Sequence, residues 1–173
     1  MQMEQYGIPD QEKVFTFSIP AERGLSYKKV NREYKNKFLV LSECWDFIDK
    51  SVAKGDRELV DTEDIVKRVL NNISDLWISV KDGDVVGAFV VGVIAYPKAD
   101  VINFEAISGK FNFKYALPKV EDHYISLGYK HFQMIGRKGW QKVMSSQGYI
   151  PKSTTIFKGV VMGSVFSSKP TVV

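Results

Sequence analysis

Few residues in this chain have both the type and the spacing for chemistry. The two histidines, His123 and His131, and the single cysteine, Cys44, lie apart in sequence, so no metal-ligand spacing arises. No phosphate-binding P-loop and no Ser/His/Asp order stands out. The alternating stretch Val101–Ile107 carries a single carboxylate, Glu105. Alternation puts it on one face with Asn103 and Ile107, opposite Ile102, Phe104 and Ala106. A carboxylate works as a general base where burial raises its pKa, and a solvent-facing or paired Glu is the plain alternative. The strand runs into Ser108-Gly109-Lys110, and Arg137 and Tyr149 flank a short helical stretch.

The elements that must position these residues centre on His131–Val161. His131 and Gln133 alternate with Phe132 and Met134, the period-2 pattern of a half-buried strand over His131–Ile135. Gly136 breaks it. Trp140, Val143 and Met144 fall at i, i+3 and i+4 within Arg137–Gln147, the stripe of a short helix lying on a sheet. Gly148 suits the left-handed cap that ends such a helix. Thr154–Val161 is β-branched and returns as a strand, so strand, helix and strand predict a right-handed crossover.

Upstream, residues 1–13 are polar and read as an arm. Val14–Ile19 alternates as a first strand ended by Pro20, and Ala21–Lys37 is basic, a solvated loop or a contact for an acidic partner. Leu41, Cys44, Trp45, Ile48 and Val52 make one face of an amphipathic helix ending near Gly55. Asp61 can cap a second helix with Glu63 and Asp64 in its first turn, its inner face being Ile65, Val66, Val69, Leu70 and Ile73. Leu76–Val80 and Val85–Tyr96 are strands joined by the Lys81-Asp82-Gly83-Asp84 turn. The second is nearly all apolar, as in a central strand covered on both faces. Pro118 suits the first turn of a further helix with Leu117, Val120, Tyr124 and Leu127 buried, stopped by Gly128. Residues Phe111–Tyr115 are aromatic and fit either a loop or a helix start.

The bulk properties bound the function. A length of 173 residues predicts one domain with a real core, and 45% apolar with 25% charged residues is ordinary for a globular protein. A net charge of +4 is mild, and no basic run is interleaved with aromatics, so nucleic acid is not indicated. One cysteine rules out an internal disulfide and fits a reducing compartment. No apolar run reaches membrane-spanning length, and the N-terminus lacks the basic and apolar regions of a signal peptide. The expected organisation is an arm at 1–13, one domain at 14–162 and a tail at 163–173.

The segment Ile135–Tyr149, I-G-R-K-G-W-x-x-V-(x)4-G-Y, resembles the C-terminal half of the GNAT superfamily of N-acetyltransferases. It is most similar to GNAT-like proteins of tailed bacteriophages. Leu76–Ala88, L-W-I-x-V-x-D-G-D-V-V-G-A, and Tyr96–Phe104, Y-P-x-x-x-V-I-x-F, stand in the order that phage family shows. The resemblance implies an α/β fold, a mostly antiparallel sheet with a C-terminal βαβ crossover and helices on both faces.

The same resemblance implies where a site would lie. Members of the superfamily hold the acetyl-CoA pyrophosphate on backbone N–H groups of a glycine-rich loop that opens the helix after the central strand. The corresponding place here is Ser108–Lys114, where Ser108, Gly109 and Lys110 would meet a phosphate. Only one glycine is present and the loop is aromatic. Glu105 matches the strand that often carries the catalytic base, and Tyr149 the region that can supply the acid. Core packing for Tyr149 and Trp140, and an ion pair for Arg137, are the plainer roles.

Two functions follow. The first is a non-catalytic, virion-associated component that binds other phage proteins and needs no cofactor, in the virion or the host cytoplasm, with oligomerisation possible. On it, added acetyl-CoA is expected to leave the melting temperature unmoved. The alternative is an acetyl-CoA-dependent N-acetyltransferase acting on a host or phage amine.

Overall fold

Two tight reversals set the antiparallel part of the sheet. Arg23-Gly24 and Asp82-Gly83 all take positive φ, the backbone twist that two-residue hairpin loops require. The first joins β1 (Phe15–Glu22) to β2 (Leu25–Val30), and the second joins β3 (Ser74–Lys81) to β4 (Asp84–Ala95). The computed structural model describes residues 13–55, 59–135, 138–152 and 158.

Between the hairpins lie α1 (Lys37–Ala53) and α2 (Thr62–Leu70); after them come β5 (Asp100–Gly109), α3 (Phe113–Ser126), β6 (His131–Met134) and α4 (Lys138–Ser145). The six strands are ordered β1-β2-β3-β4-β5-β6. All neighbours are antiparallel except β5 and β6, which α3 links as a parallel pair. One core lies under α1 and α2, with Leu41, Cys44, Ile48, Ile65 and Val69 against Leu76, Ile78, Ala88 and Val90. The other lies under α3 and α4, with Trp77, Phe89, Val91, Ile102 and Phe104 against Leu117, Val120, Tyr124 and Met144. Strand β4 is therefore covered on both faces, as its unbroken apolar run predicts.

Local sequence signals hold where they are strong. Asp61 caps α2 by accepting from the Asp64 amide at 2.9 Å, and Asp64 returns the bond to the Asp61 amide at 2.9 Å. Gly148 ends α4 at φ +90°, with the Tyr149 amide reaching back to the Met144 carbonyl.

Several expectations need correction. The basic run Ala21–Lys37 contains β2, and Lys29 on that strand is buried. Its charge is met by Asp75 at 3.5 Å, and Asp75 also accepts from Arg32 at 2.6 Å and from the Tyr124 hydroxyl at 2.8 Å. Pro20 does not end β1. It sits inside it, which the edge position of β1 permits because no N–H is needed on the outer side. Helix α3 begins at Phe113, so Pro118 lies within it and not in its first turn. Leu127 on α3's end, Leu70 and Ile73 near the end of α2, Trp45 on α1 and Val143 on α4 are exposed instead of buried. The expected strand Thr154–Val161 (all but Lys158) with its crossover, Arg137, most of the arm and all of the tail lie outside the described residues.

Candidate active-site cleft

The parallel pairing of β5 with β6 runs only from Val101↔His131 to Phe104↔Met134. Strand β5 goes on from Glu105 to Gly109 while β6 stops. The two strands therefore part, and a cleft of about 860 Å³ opens beyond the last pair. Its walls come from the C-terminal turn of α1, from α2, from β5, from the start of α3 and from Ile135 and Trp140.

A β-bulge lies at this point. Val90 pairs with Ala106 and Val91 with Phe104, leaving Glu105 as the extra residue. The strict alternation read from the sequence is broken there: Glu105 stays on Asn103's side of the sheet, Ala106 joins the core under α1, and Ile107 packs on the α3 side. The Ile107 amide, beyond the reach of β6, donates to the Ser51 hydroxyl of α1 at 3.0 Å.

Glu105 is tied down from α2 and β3. Arg68 donates through Nη2 to Oε1 at 2.8 Å and through Nε to both oxygens, and the Ser74 hydroxyl bonds them at 3.0 and 2.9 Å. The Glu105 side chain is 8% exposed and that of Arg68 38%, so the carboxylate is the floor of the cleft and the guanidinium its wall. Gly92 on β4 makes the room: a Cβ there would stand 2.0 Å from Oε1. Asn103 also lines the cleft, and its Oδ1 is buried without a hydrogen-bond partner among the described residues. Such an orphan acceptor is costly unless a ligand or water satisfies it.

The opposite end of the cleft is aromatic. Phe111 and Phe113 meet edge-to-face with centroids 4.5 Å apart, and Phe113 meets Trp140 at 5.1 Å. Here Ser108 and Gly109 line the cleft. Gly109 is required by packing, since at φ +86° a Cβ would come within 2.4 Å of the Val86 carbonyl. Lys110 donates its amide to that carbonyl at 2.9 Å. The Asn112 amide is taken by the Tyr27 hydroxyl at 2.8 Å and the Tyr115 amide by the Asn112 side chain at 3.4 Å, with Glu22 bonded to Asn112 at 3.3 Å. Three amides that would meet a diphosphate are thus already bonded, and a carboxylate stands beside them. The cleft fits an extended arm, and at the loop a diphosphate would meet only the amides that these bonds leave.

Tyr149 lies elsewhere. Its hydroxyl donates to Glu121 of α3 at 2.7 Å, and the ring packs on the α3-side core. Burial, then the Glu121 charge and bond, raise its pKa far above the ordinary phenol range. Of the sequence candidates, Glu105, Ser108 and Gly109 share the cleft, whereas Lys110 and Tyr149 do not line it. Sequence reasoning missed Arg68, Gly92 and Asn103. A signal existed for Arg68, which stands three residues after Ile65 on the buried stripe of α2. Among the described residues no cluster of His, Cys, Asp and Glu can hold a metal, and no helix is long and apolar enough to cross a membrane.

No protein-family model matches the sequence, and no curated protein matches it either. The fold, by contrast, has many solved counterparts, and it is that of the GNAT acetyltransferases. A predicted acetyltransferase of Clostridium acetobutylicum, solved with acetyl-CoA, is 13% identical at a TM-score of 0.54, over 80% of this chain and 96% of that one. A GCN5-related N-acetyltransferase of Ralstonia eutropha is 12% identical at 0.56, over 81% and 100%. An aminoglycoside acetyltransferase from an uncultured soil metagenomic sample is 8% identical at 0.57, over 79% and 98%. At these identities the likeness is one of architecture.

Proposed function

We propose that the chain is an N-acyltransferase that takes its acyl group from acetyl-CoA or a related thioester. The observation that carries this reading is the cleft where β5 parts from β6. An extended, amide-bearing arm can lie along Glu105–Gly109, because β6 no longer covers that edge, although the Ile107 amide there is already taken by the Ser51 hydroxyl. Phe104, Ile107 and Phe113 supply apolar walls for it. The thioester supplies the activated acyl group. Glu105 is the carboxylate of the cleft, and Arg68 and Ser74 hold both of its oxygens, the paired state that is the plain alternative to a base. On this reading it takes the proton of an attacking amine by giving up one of those bonds, and Asn103 Oδ1 is an acceptor for an N–H that reaches it.

The test is a melting curve with and without acetyl-CoA. At 100 times Kd a ligand stabilises by about 2.7 kcal/mol, which raises the Tm of a domain this size by roughly 5–10 °C. A shift of that order, together with thiol release when an amine is added, is the expected result. An unmoved Tm and no thiol release would sink the reading.

One observation favours a second reading. The amides of Lys110, Asn112 and Tyr115 are all bonded within the chain, so a diphosphate meets no ready cradle there. On this reading the protein is the non-catalytic component implied by its likeness to GNAT-like phage proteins, bound to other phage proteins in the virion or the host cytoplasm. Co-purification with phage particles and an unmoved Tm in acetyl-CoA would favour it.

A further inference from the structure

We propose that the acceptor amine carries its own anionic group, a carboxylate or a phosphate monoester, and that this group docks on Arg68 and Lys54. The inference rests on the transferase reading and names the substrate class for the same cleft.

Three charged residues line the cleft among those described: Lys54, Arg68 and Glu105. They do not contribute equally to what a ligand meets. Glu105 is 8% exposed, with both oxygens engaged by Arg68 and Ser74. Arg68 is 38% exposed and Lys54 is exposed at the end of α1. Among the described lining residues the reachable charge is therefore cationic.

Arg68 is also pre-organised. Its Nε and Nη2 are held on Glu105, whereas Nη1 has no partner among the described residues. A guanidinium fixed on one edge loses little freedom when the remaining N–H groups grip a carboxylate or phosphate. A second group in the same cleft points to the amine end of the ligand. Asn103 Oδ1 is buried and has no partner among the described residues; it can only accept, so an N–H brought against it as the cleft fills would be bonded there. An N–H donor and an anion on one small molecule satisfy both groups at once. A polycation would bring like charges against Arg68 and Lys54, which is unfavourable. This sets the chain apart from the aminoglycoside acetyltransferases that share its fold.

The experiment is calorimetric titration of the full chain with four probes: L-leucine, glucosamine 6-phosphate, isopentylamine and spermidine. Isopentylamine is leucine without its carboxylate. We expect one of the two anion-bearing amines to bind at least about tenfold more tightly than either amine lacking an anion. Leucine as the tighter ligand identifies a carboxylate, and the sugar phosphate identifies a phosphate. The double variant R68Q/E105Q removes both charges together, so neither is left buried alone, and it is expected to lose the preference. R68K, which keeps the charge without the fork, should weaken it.

Equal or tighter binding of isopentylamine or spermidine overturns the proposal. So does a preference that survives in R68Q/E105Q, or no saturable binding of either anion-bearing amine. The wild-type melting shift in acetyl-CoA is read separately. A shift with no anion preference retains the transferase and discards only the acceptor class.

Discussion

Gly92 and Glu105 are matched as a space and its occupant. The hydrogen of Gly92 stands where a Cβ would approach Oε1 to 2.0 Å and Cδ to 2.9 Å. The bulged residue of β5 can therefore lay its carboxylate across β4 to reach Ser74 and Arg68. Gly92→Ala should push the carboxylate off both partners. We expect a loss of about 1–3 kcal/mol, the usual range for overpacking a buried site, read by urea denaturation. Unchanged stability would show that the ion pair has room to yield.

Asp75 should give the protein an acid limit. Burial alone would raise its pKa, but the Arg32 hydrogen bond and the Lys29 charge outweigh that and hold it below the ordinary carboxylate range. The folded state then binds the Asp75 proton less readily than the unfolded chain. Its contribution is complete well above about pH 4, the pKa of a free Asp. It is lost as pH falls through the folded value. Asp75→Asn should remove that acid limb and cost about 3–5 kcal/mol at neutral pH, since it leaves Lys29 buried without its counter-charge. Denaturation midpoints of both proteins at several pH values between neutral and strongly acid check this. Parallel curves would contradict it.

Tyr149 links the end of α4 to α3 through Glu121. Burial raises the Glu121 pKa, and the Tyr149 hydrogen bond partly opposes that rise. Tyr149→Phe should destabilise by about 1–2 kcal/mol and raise the Glu121 pKa further, visible in carboxyl NMR titration. A tenfold or greater fall in acyl transfer, about 1.4 kcal/mol of barrier, at unchanged stability would instead mark the hydroxyl as the acid.

Cys44 should be inert in the native state. Burial, with the nearby Glu43 charge, pushes its thiol up to about 12, and the thiolate is the reactive form. A thiol-reactive dye at mildly alkaline pH is expected to label it only on unfolding. Fast stoichiometric labelling of the native protein would mean that the α1 core opens readily.

Much of the fold was legible because its signals are local. The stripe Leu41, Cys44, Ile48 and Val52 (though not Trp45, which is exposed), the Asp61–Asp64 capping box, the Asp82-Gly83 turn and the apolar run of β4 each declare themselves within a few residues. Strand β2 was hidden because Lys28 and Lys29 read as a solvated face. Only Asp75, brought in by β3, makes burial of Lys29 tolerable. The aromatic stretch at Phe111–Tyr115 straddles the start of α3, which blurred the helix boundary and misplaced Pro118.

The amino-acid order by itself determined the element types outside β2, the second antiparallel hairpin and the strand that carries Glu105, since these follow from periodicity, caps and turns. Tertiary structure alone decided where β5 parts from β6, which way the bulge turns Glu105, and that Arg68 and Gly92 meet it there. Those outcomes depend on pairing between residues distant in sequence. A single inserted residue in one strand reverses the facing of all that follow it, and no local pattern records which partner it will find.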